Sequence, residues 1–383
     1  MSLTVGIDAS RNRSGGAKAH LIGILSSLVP EQHGIAQVHV WAFRSLLDSI
    51  PDRPWLVKHN PPELERSLIH QLWWQGVHLA DETKAVHCDI LFTTDASTLC
   101  RFKPMVVLSQ DMLSYEPGVM QHFGWGYARL RLLAIMYLQN AAFCRAQGVI
   151  FLTRYAGKII QDSCGALRRV AFIPHGVGEA FARTRPLAEF PTPEGRPIRC
   201  LYVSPISRYK HQWVVVRAIE MLRRRGFSLQ LDLVGGGDEA AQNRLEEQIR
   251  NSDLDGLLVR QLGHVPQSVL PELFAYTDLF VFASSCETMP VTLLEAMAVG
   301  LPIACSDRGP MPEVLEDGGV YFDPESPESI ARAIENIITD AEQRTRIARR
   351  AKELAGQYSW KRCAEETFAF ITETYQMKIE RDL

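Results

Sequence analysis

The stretch Phe282-Ala-Ser-Ser-Cys-Glu287-Thr-Met-Pro290-Val-Thr-Leu-Leu-Glu295-Ala-Met-Ala-Val-Gly300-Leu-Pro302-Ile303 decides how this chain folds. An apolar run over 279–283 gives way near Ser284 to small polar residues, which reads as a strand running into a loop. Pro290 suits a helix's first turn, where its missing N–H is no loss. A helical pattern over 291–299 follows, and then a second apolar run over 303–306. Strand, loop, helix and strand in that order make one parallel βαβ unit.

The same alternation extends in both directions. Toward the N-terminus, strands are expected at 3–7, 37–42, 89–93, 105–109, 148–152 and 170–173, with helices at 18–28, 64–80, 125–146 and 154–164. Pro186, Pro191, Pro193 and Pro197 then interrupt every regular pattern, and this segment reads as a linker. Beyond it come strands at 199–203, 230–234, 257–262, 279–283, 303–306 and 320–322. Helices are expected at 211–225, 239–250, 272–276, 291–299 and 327–339, with a last one from 360 to 378. The fold class is therefore α/β, with two Rossmann-like doubly wound domains and an interdomain cleft at the carboxyl ends of the strands. The expected domains are 1–185 and 196–359, followed by a C-terminal helix over 360–383.

Composition narrows the function. The chain has 383 residues, 46% hydrophobic and 22% charged, which is globular and not disordered. The net charge of −3 argues against broad capture of nucleic acid. Residues 1–190 carry 19 basic against 15 acidic side chains, and the rest 22 against 29, so the first half is the better suited to an anionic surface. Eight scattered cysteines form no CxxC pair, and no ligand spacing for zinc is present. The thiols suggest a cytoplasmic location, and the first 25 residues lack the order of a signal peptide.

Glu287 precedes the central helix and Glu295 lies on it. Eight residues at about 1.5 Å each separate them by roughly 12 Å along the axis, with the amides of 288–292 between. Free amides at a helix start attract anions, and carboxylates accept hydrogen bonds from hydroxyls. A diphosphate flanked by two sugar rings, as in a nucleotide sugar, fits that layout. An arbitrary pair of glutamates at this spacing is ordinarily a loop residue and a solvated helix residue.

The segment resembles the E-x7-E signature of the retaining GT-B glycosyltransferases of family four. Further pieces match in the family's order: Gly15-Gly16, Ile173-Pro-His-Gly-Val177, Tyr202-Val203 with Lys210, Leu233-Val-Gly-Gly-Gly237, Leu262-Gly-His-Val265, Pro312-Glu313-Val314 and Tyr358-Ser-Trp360. The wording around Glu287 and the opening over 7–16 are most similar to bacterial enzymes of O-antigen and capsular polysaccharide synthesis. The resemblance implies that Glu287 holds donor-sugar hydroxyls, Glu295 the ribose, and Lys210 the diphosphate. It also implies a donor site lined by Thr288, Met289, Pro290, Val291, Gly235 and Val265, with Gly15 and Gly16 near the donor phosphate or the acceptor. No metal and no cofactor are expected, since Lys210 and helix amides supply the positive charge.

Two positions depart from the family pattern. Pro205 stands where an arginine is usual, and Arg208 is the replacement cation or else a surface residue. Gln110 stands where a histidine is usual, leaving Asp111 as a hydrogen-bond acceptor for the sugar or the incoming hydroxyl, or as a helix or turn cap. Asp253-Leu-Asp255 spells a metal-diphosphate pattern of another architecture but precedes a strand, and is set aside. Trp73-Trp74, Trp125, Tyr127, Arg129 and Arg131 suggest a peripheral contact with the inner-membrane surface, with a packed core as the alternative. The implied function is retaining transfer of a sugar from a nucleotide sugar, GDP-mannose first and UDP-sugars second, to a lipid-linked glycan. A non-catalytic binding or scaffold subunit and a nucleotide-sugar epimerase are the alternatives.

Overall fold

The computed structural model describes residues 2–13, 15–120, 126–186, 189–192, 195–253 and 256–382, without the side chains of 381 and 382. Trp125, Leu254 and Asp255 lie outside the described residues. The chain divides into two compact units, Met1–Gly176 with Ser359–Leu383, and Val177–Tyr358.

The first unit is built on a seven-stranded sheet of order β3-β2-β1-β4-β5-β6-β7. Its strands are β1 Leu3–Asp8, β2 Ile35–Trp41, β3 Leu56–His59, β4 Ile90–Thr93, β5 Met105–Ser109, β6 Gly148–Phe151 and β7 Val170–Phe172. Every pairing is parallel. Apolar runs such as Ile-Leu-Phe in β4 and Met-Val-Val-Leu in β5 are buried throughout, as a sheet covered on both faces requires. Strand β3 was not expected. Its four half-buried residues sit at the sheet edge between prolines 54 and 61, and Lys58 and His59 break the apolar pattern.

The second unit has a six-stranded parallel sheet of order β10-β9-β8-β11-β12-β13. The strands are β8 Ile198–Val203, β9 Leu229–Val234, β10 Val259–Gly263, β11 Leu279–Phe282, β12 Ile303–Ser306 and β13 Val320–Phe322. All six lie within two residues of the expected ranges, β10 starting two residues later than expected. The helix Ala341–Ala355 was not expected, because its polar composition leaves only Ile347, Ala351, Leu354 and Ala355 facing inward.

Two boundaries differ from the expected ones. The break between units falls at Gly176/Val177, ahead of the prolines. The short helix Glu179–Arg183 buries Phe181 edge-on against Phe274 at 5.4 Å, which ties it to the second unit. The expected helix over 64–80 is two helices, Leu68–Val77 and Leu79–Ala85, meeting at His78.

The last helix, Trp360–Asp382, belongs to the first unit and packs on the helix Gly15–Ser27. The approach is close enough that a Cβ on Gly23 would lie 2.2 Å from the Trp360 ring. His20 and His175 are buried beside it with their Nδ1 atoms 3.0 Å apart.

Candidate donor site

In the second sheet the connections from β8 lead one way, to β9 and β10, and those from β11 the other way, to β12 and β13. The chain leaving β8 and the chain leaving β11 therefore diverge, and a crevice opens at their carboxyl ends. Lys210 follows β8 and Glu287 follows β11, so topology alone sets them on opposite lips of that crevice. The two side chains meet there in an ion pair.

Lys210 closes the 3₁₀ turn Arg208–Lys210 and is only 7% exposed. Burial works against its ammonium, but the Glu287 carboxylate, aided by Tyr209, outweighs that and holds its pKa above the ordinary lysine value. Three contacts fix the turn. The Tyr202 hydroxyl, buried on β8, donates to the Lys210 carbonyl at 2.6 Å. The Ser285 amide donates to the Tyr209 carbonyl at 2.8 Å. His211 Nε2 lies 2.9 Å from Ser285 Oγ, with the His211 backbone in the left-handed region at φ 52°. The loops after β8 and β11 are thus tied together by backbone as well as by charge. His211 did not stand out in the sequence, and Tyr202 did so only within the Tyr202-Val203 match to the family, with no role of its own, because a tyrosine within an apolar strand reads as core.

The helix of the opening stretch runs Val291–Val299, with Pro290 as its N-cap and not within its first turn. The Pro290 carbonyl takes the amides of Leu293 and Leu294, both at 3.1 Å. The amides of Val291 and Thr292 head the helix and have no carbonyl within it to donate to. Thr288 and Met289 are buried in the loop between Glu287 and the helix.

Glu295 is 3% exposed. Its Oε1 accepts from Gln267 Nε2 at 2.8 Å, and its Oε2 is buried with no hydrogen-bond partner among the described residues. Burial raises its pKa to about 7, against the opposing Gln267 hydrogen bond. A carboxylate in this state is poised to accept hydrogen bonds from a ligand.

The remaining candidates divide. Val265 is half-buried just past β10, on the loop that carries Gln267. Arg208 is exposed at the start of the turn that Lys210 ends. Gly235, at φ 128°, is required by a close approach: a Cβ there would lie 2.1 Å from the Ser204 carbonyl oxygen. Asp253 accepts the amides of Leu258 and Val259 at 2.8 and 2.9 Å, which gives it a turn-forming role.

In the first unit the equivalent divergence lies between β1 and β4. Gly15 and Gly16 are the first residues of the helix Gly15–Ser27, not a turn ahead of it, and Gly15 takes φ 62°. Asp8 ends β1 and is buried among Ser10, Gln75 and Thr93. Asp95 pairs with Arg11 at 2.9 Å. Asp111 accepts the Leu113 amide at 2.9 Å, a capping contact, and burial raises its pKa against that hydrogen bond. Gln110 donates to the Thr94 carbonyl at 2.9 Å. Among the described residues no three His, Cys, Asp or Glu side chains gather in a way that could hold a metal ion.

Comparison with known proteins bears on the family and the fold. Residues 187–354 match the family model of glycosyl transferases group 1. Over 109 residues the chain is 36% identical to O-antigen chain mannosyltransferase B of Escherichia coli, covering 28% of this chain and 29% of that protein. Over 183 residues it is 29% identical to D-inositol 3-phosphate glycosyltransferase of Paenarthrobacter aurescens (strain TC1), 46% of this chain and 43% of that one. The chain thus spans less than half the length of these curated relatives. Its fold is similar to that of sucrose-phosphate synthase from Thermosynechococcus elongatus, with TM-score 0.77 and 16% identity, covering 99% of this chain and 100% of that one. It is also similar to Anabaena HepE in complex with UDP-glucose, with TM-score 0.73 and 20% identity over 98% and 100%. Residues 187–354 thus match the group 1 glycosyl transferases, and the chain's two parallel α/β units are those of the GT-B fold.

Proposed function

We propose that the chain is a retaining glycosyltransferase that moves a sugar from a nucleoside diphosphate sugar to a hydroxyl of a lipid-linked glycan. The observation that carries this reading is the Lys210–Glu287 pair in the crevice after β8 and β11, with the buried Glu295 eight residues further on. Cleavage of the bond between anomeric carbon and phosphate leaves negative charge on the departing diphosphate. An ammonium and helix-start amides already fixed in place stabilise that charge more in the transition state than in the ground state. Lys210 takes the diphosphate as a second anionic partner, and Glu287 turns its acceptor oxygens to the sugar hydroxyls. Thr288, Met289, Pro290 and Val291 line the donor, Gly235 and Val265 the nucleotide, and Glu295 accepts from the ribose. Arg208 is the second cation in this reading. No metal takes part.

Gly15, Gly16 and Asp111 belong to the acceptor side in the first unit. The likeness to O-antigen chain mannosyltransferase B favours GDP-mannose, and the UDP-glucose held by HepE makes UDP-sugars the next choice. The work is placed on the cytoplasmic face of the inner membrane, where a lipid-linked acceptor is found. No helix among the described residues is long and apolar enough to cross a membrane.

The test is thermal unfolding of the whole chain with GDP, UDP and ADP, followed by nucleotide release from the matching sugar donor. A ligand that binds only the folded state raises the unfolding temperature. The reading expects one nucleotide to stabilise and its sugar donor to turn over with acceptor, and turnover to vanish in Glu287→Ala. Binding without turnover would leave a scaffold subunit, and conversion of donor without acceptor an epimerase.

A further inference from the structure

At the amino end of β5, in the first unit, a hollow of about 330 Å³ is lined by Cys100, Arg101, Phe102, Lys103, Met105 and Arg145. Its apolar members are all buried, so they form a floor. Its polar members are three cations. Arg101 and Lys103 are exposed on the loop that leads into β5, and Arg145 ends the helix Tyr127–Arg145. No carboxylate lines it.

The two walls are braced before any ligand arrives. Gln147 accepts the Met105 amide at 2.8 Å and donates to the Arg145 carbonyl at 3.2 Å, which fixes the strand start against the helix end. Arg145 Nη2 donates to the Thr98 carbonyl at 3.3 Å, while its Nε is buried with no partner among the described residues. Most of that guanidinium's five donors are therefore unused. Nor does any of the three cations form an ion pair among the described residues. On its other side the Arg101–Lys103 segment borders a wider groove with Lys84 and Lys378. The carboxylate lining that groove, Asp89, has both oxygens occupied, one by the Thr4 amide at 2.8 Å and the other by the Tyr375 hydroxyl at 3.1 Å.

Three unpaired cations held close together repel one another, and a dianion bound between them relieves that repulsion. A phosphate monoester carries close to two charges at neutral pH and presents oxygens that a guanidinium binds in pairs, whereas a carboxylate brings one charge only. Size points the same way, because a hollow of this volume holds a small molecule and not a polypeptide. Met105 begins β5 and Asp111 follows its end, so the hollow lies at the edge of the sheet away from the one where open α/β sheets hold substrates. We infer that Arg101, Lys103 and Arg145 form a second anion site, which takes a small phosphate monoester as an effector and not as donor or acceptor. It does not depend on the proposed function.

The full chain is titrated calorimetrically with glycerol 3-phosphate and with glycerol, and its thermal unfolding is followed with each. Binding and a raised unfolding temperature are expected with the phosphate ester and neither with glycerol, the affinity falling as salt rises. Arg101→Gln/Lys103→Gln should weaken binding about tenfold or more, and Arg145→Lys, which keeps the charge and loses the fork, by several fold. Arg101 and Lys103 are exposed, so the unliganded double variant should unfold as the parent does. Lys210→Met should bind the ester undiminished, which separates this site from the donor crevice. Absence of binding at millimolar ester, undiminished binding in the double variant, or loss of binding in Lys210→Met overturns the inference. Phosphatidylglycerol vesicles carry the phosphate as a singly charged diester; their capture by a chain that ignores the free ester overturns it too. Failed nucleotide turnover leaves it standing, and failed ester binding leaves the donor site untouched.

Discussion

Gln267 donates to one oxygen of Glu295 at 2.8 Å, while the other oxygen is buried without a partner among the described residues. Gln267 is itself exposed on the loop after β10, so a ribose hydroxyl can replace its amide without disturbing the core.

Proton linkage at Glu295 follows from that arrangement. With its pKa near 7 in the fold, the group is largely protonated at pH 6 and ionised at pH 8. Ribose hydroxyls donating to it favour the ionised form. Binding of a nucleotide sugar at pH 6 should therefore release a proton, and affinity should rise toward pH 8. Calorimetry in buffers of different ionisation enthalpy measures the release, and Glu295→Gln should abolish it. The folded pKa is raised, so this group's contribution to stability is largest below about pH 4.5 and is lost as pH rises through 7. Glu295→Gln should then stabilise the protein at pH 8, by up to about 3 kcal/mol, and leave it unchanged at pH 4.

The Lys210–Glu287 pair couples stability to activity. Lys210→Met should lower turnover by about 10²–10³-fold, as loss of a fixed transition-state donor does. It also strands a carboxylate that is only 14% exposed, so it should destabilise by about 3 kcal/mol. Lys210→Met/Glu287→Gln should recover most of the stability and none of the activity. Near-normal turnover in Lys210→Met would remove this pair from the mechanism.

Tyr202 positions Lys210 through its carbonyl. Tyr202→Phe leaves that buried carbonyl without its donor and should cost about 1–2 kcal/mol of stability. The expected kinetic signature is a several-fold fall in kcat with KM nearly unchanged, because the ammonium is displaced and not removed. A changed KM at constant kcat would argue for a role in ground-state binding instead.

The buried His20–His175 pair sets an acid limit. Burial lowers the His175 pKa to about 3 and puts His20 well below its ordinary value. His175 is neutral in the fold at pH 5, and the shift of His20 has the same direction, while the unfolded chain protonates both below about 6.5. Stability should therefore fall as pH drops from 6.5 toward 4. His175→Asn should flatten that decline, as followed by chemical unfolding at pH 7 and pH 5.

How far the sequence could be read depends on the range of the interaction. Strands β8, β9, β11, β12 and β13 announce themselves through clustered apolar residues, whereas the edge strand β10, Val-Arg-Gln-Leu-Gly, is largely exposed, and Glu287 and Glu295 share one short segment with the helix start between them. Strand β3 escapes because an edge strand of four residues needs no apolar run. Helix Ala341–Ala355 escapes because only four of its side chains face inward.

What the amino-acid order determined by itself was local: alternation of buried strand and amphipathic helix, a proline at a helix entrance, and two carboxylates eight residues apart, the first in the loop and the second on the helix, not spaced along one axis as expected. Which groups meet across the crevice was left to tertiary structure. Lys210 and Glu287 are 77 residues apart, and Gln267 and Glu295 are 28 apart. Those contacts exist because β8 lies beside β11 in the sheet, a strand order that no local pattern encodes. The burial that shifts the pKa of Glu295 is likewise a property of everything packed around it.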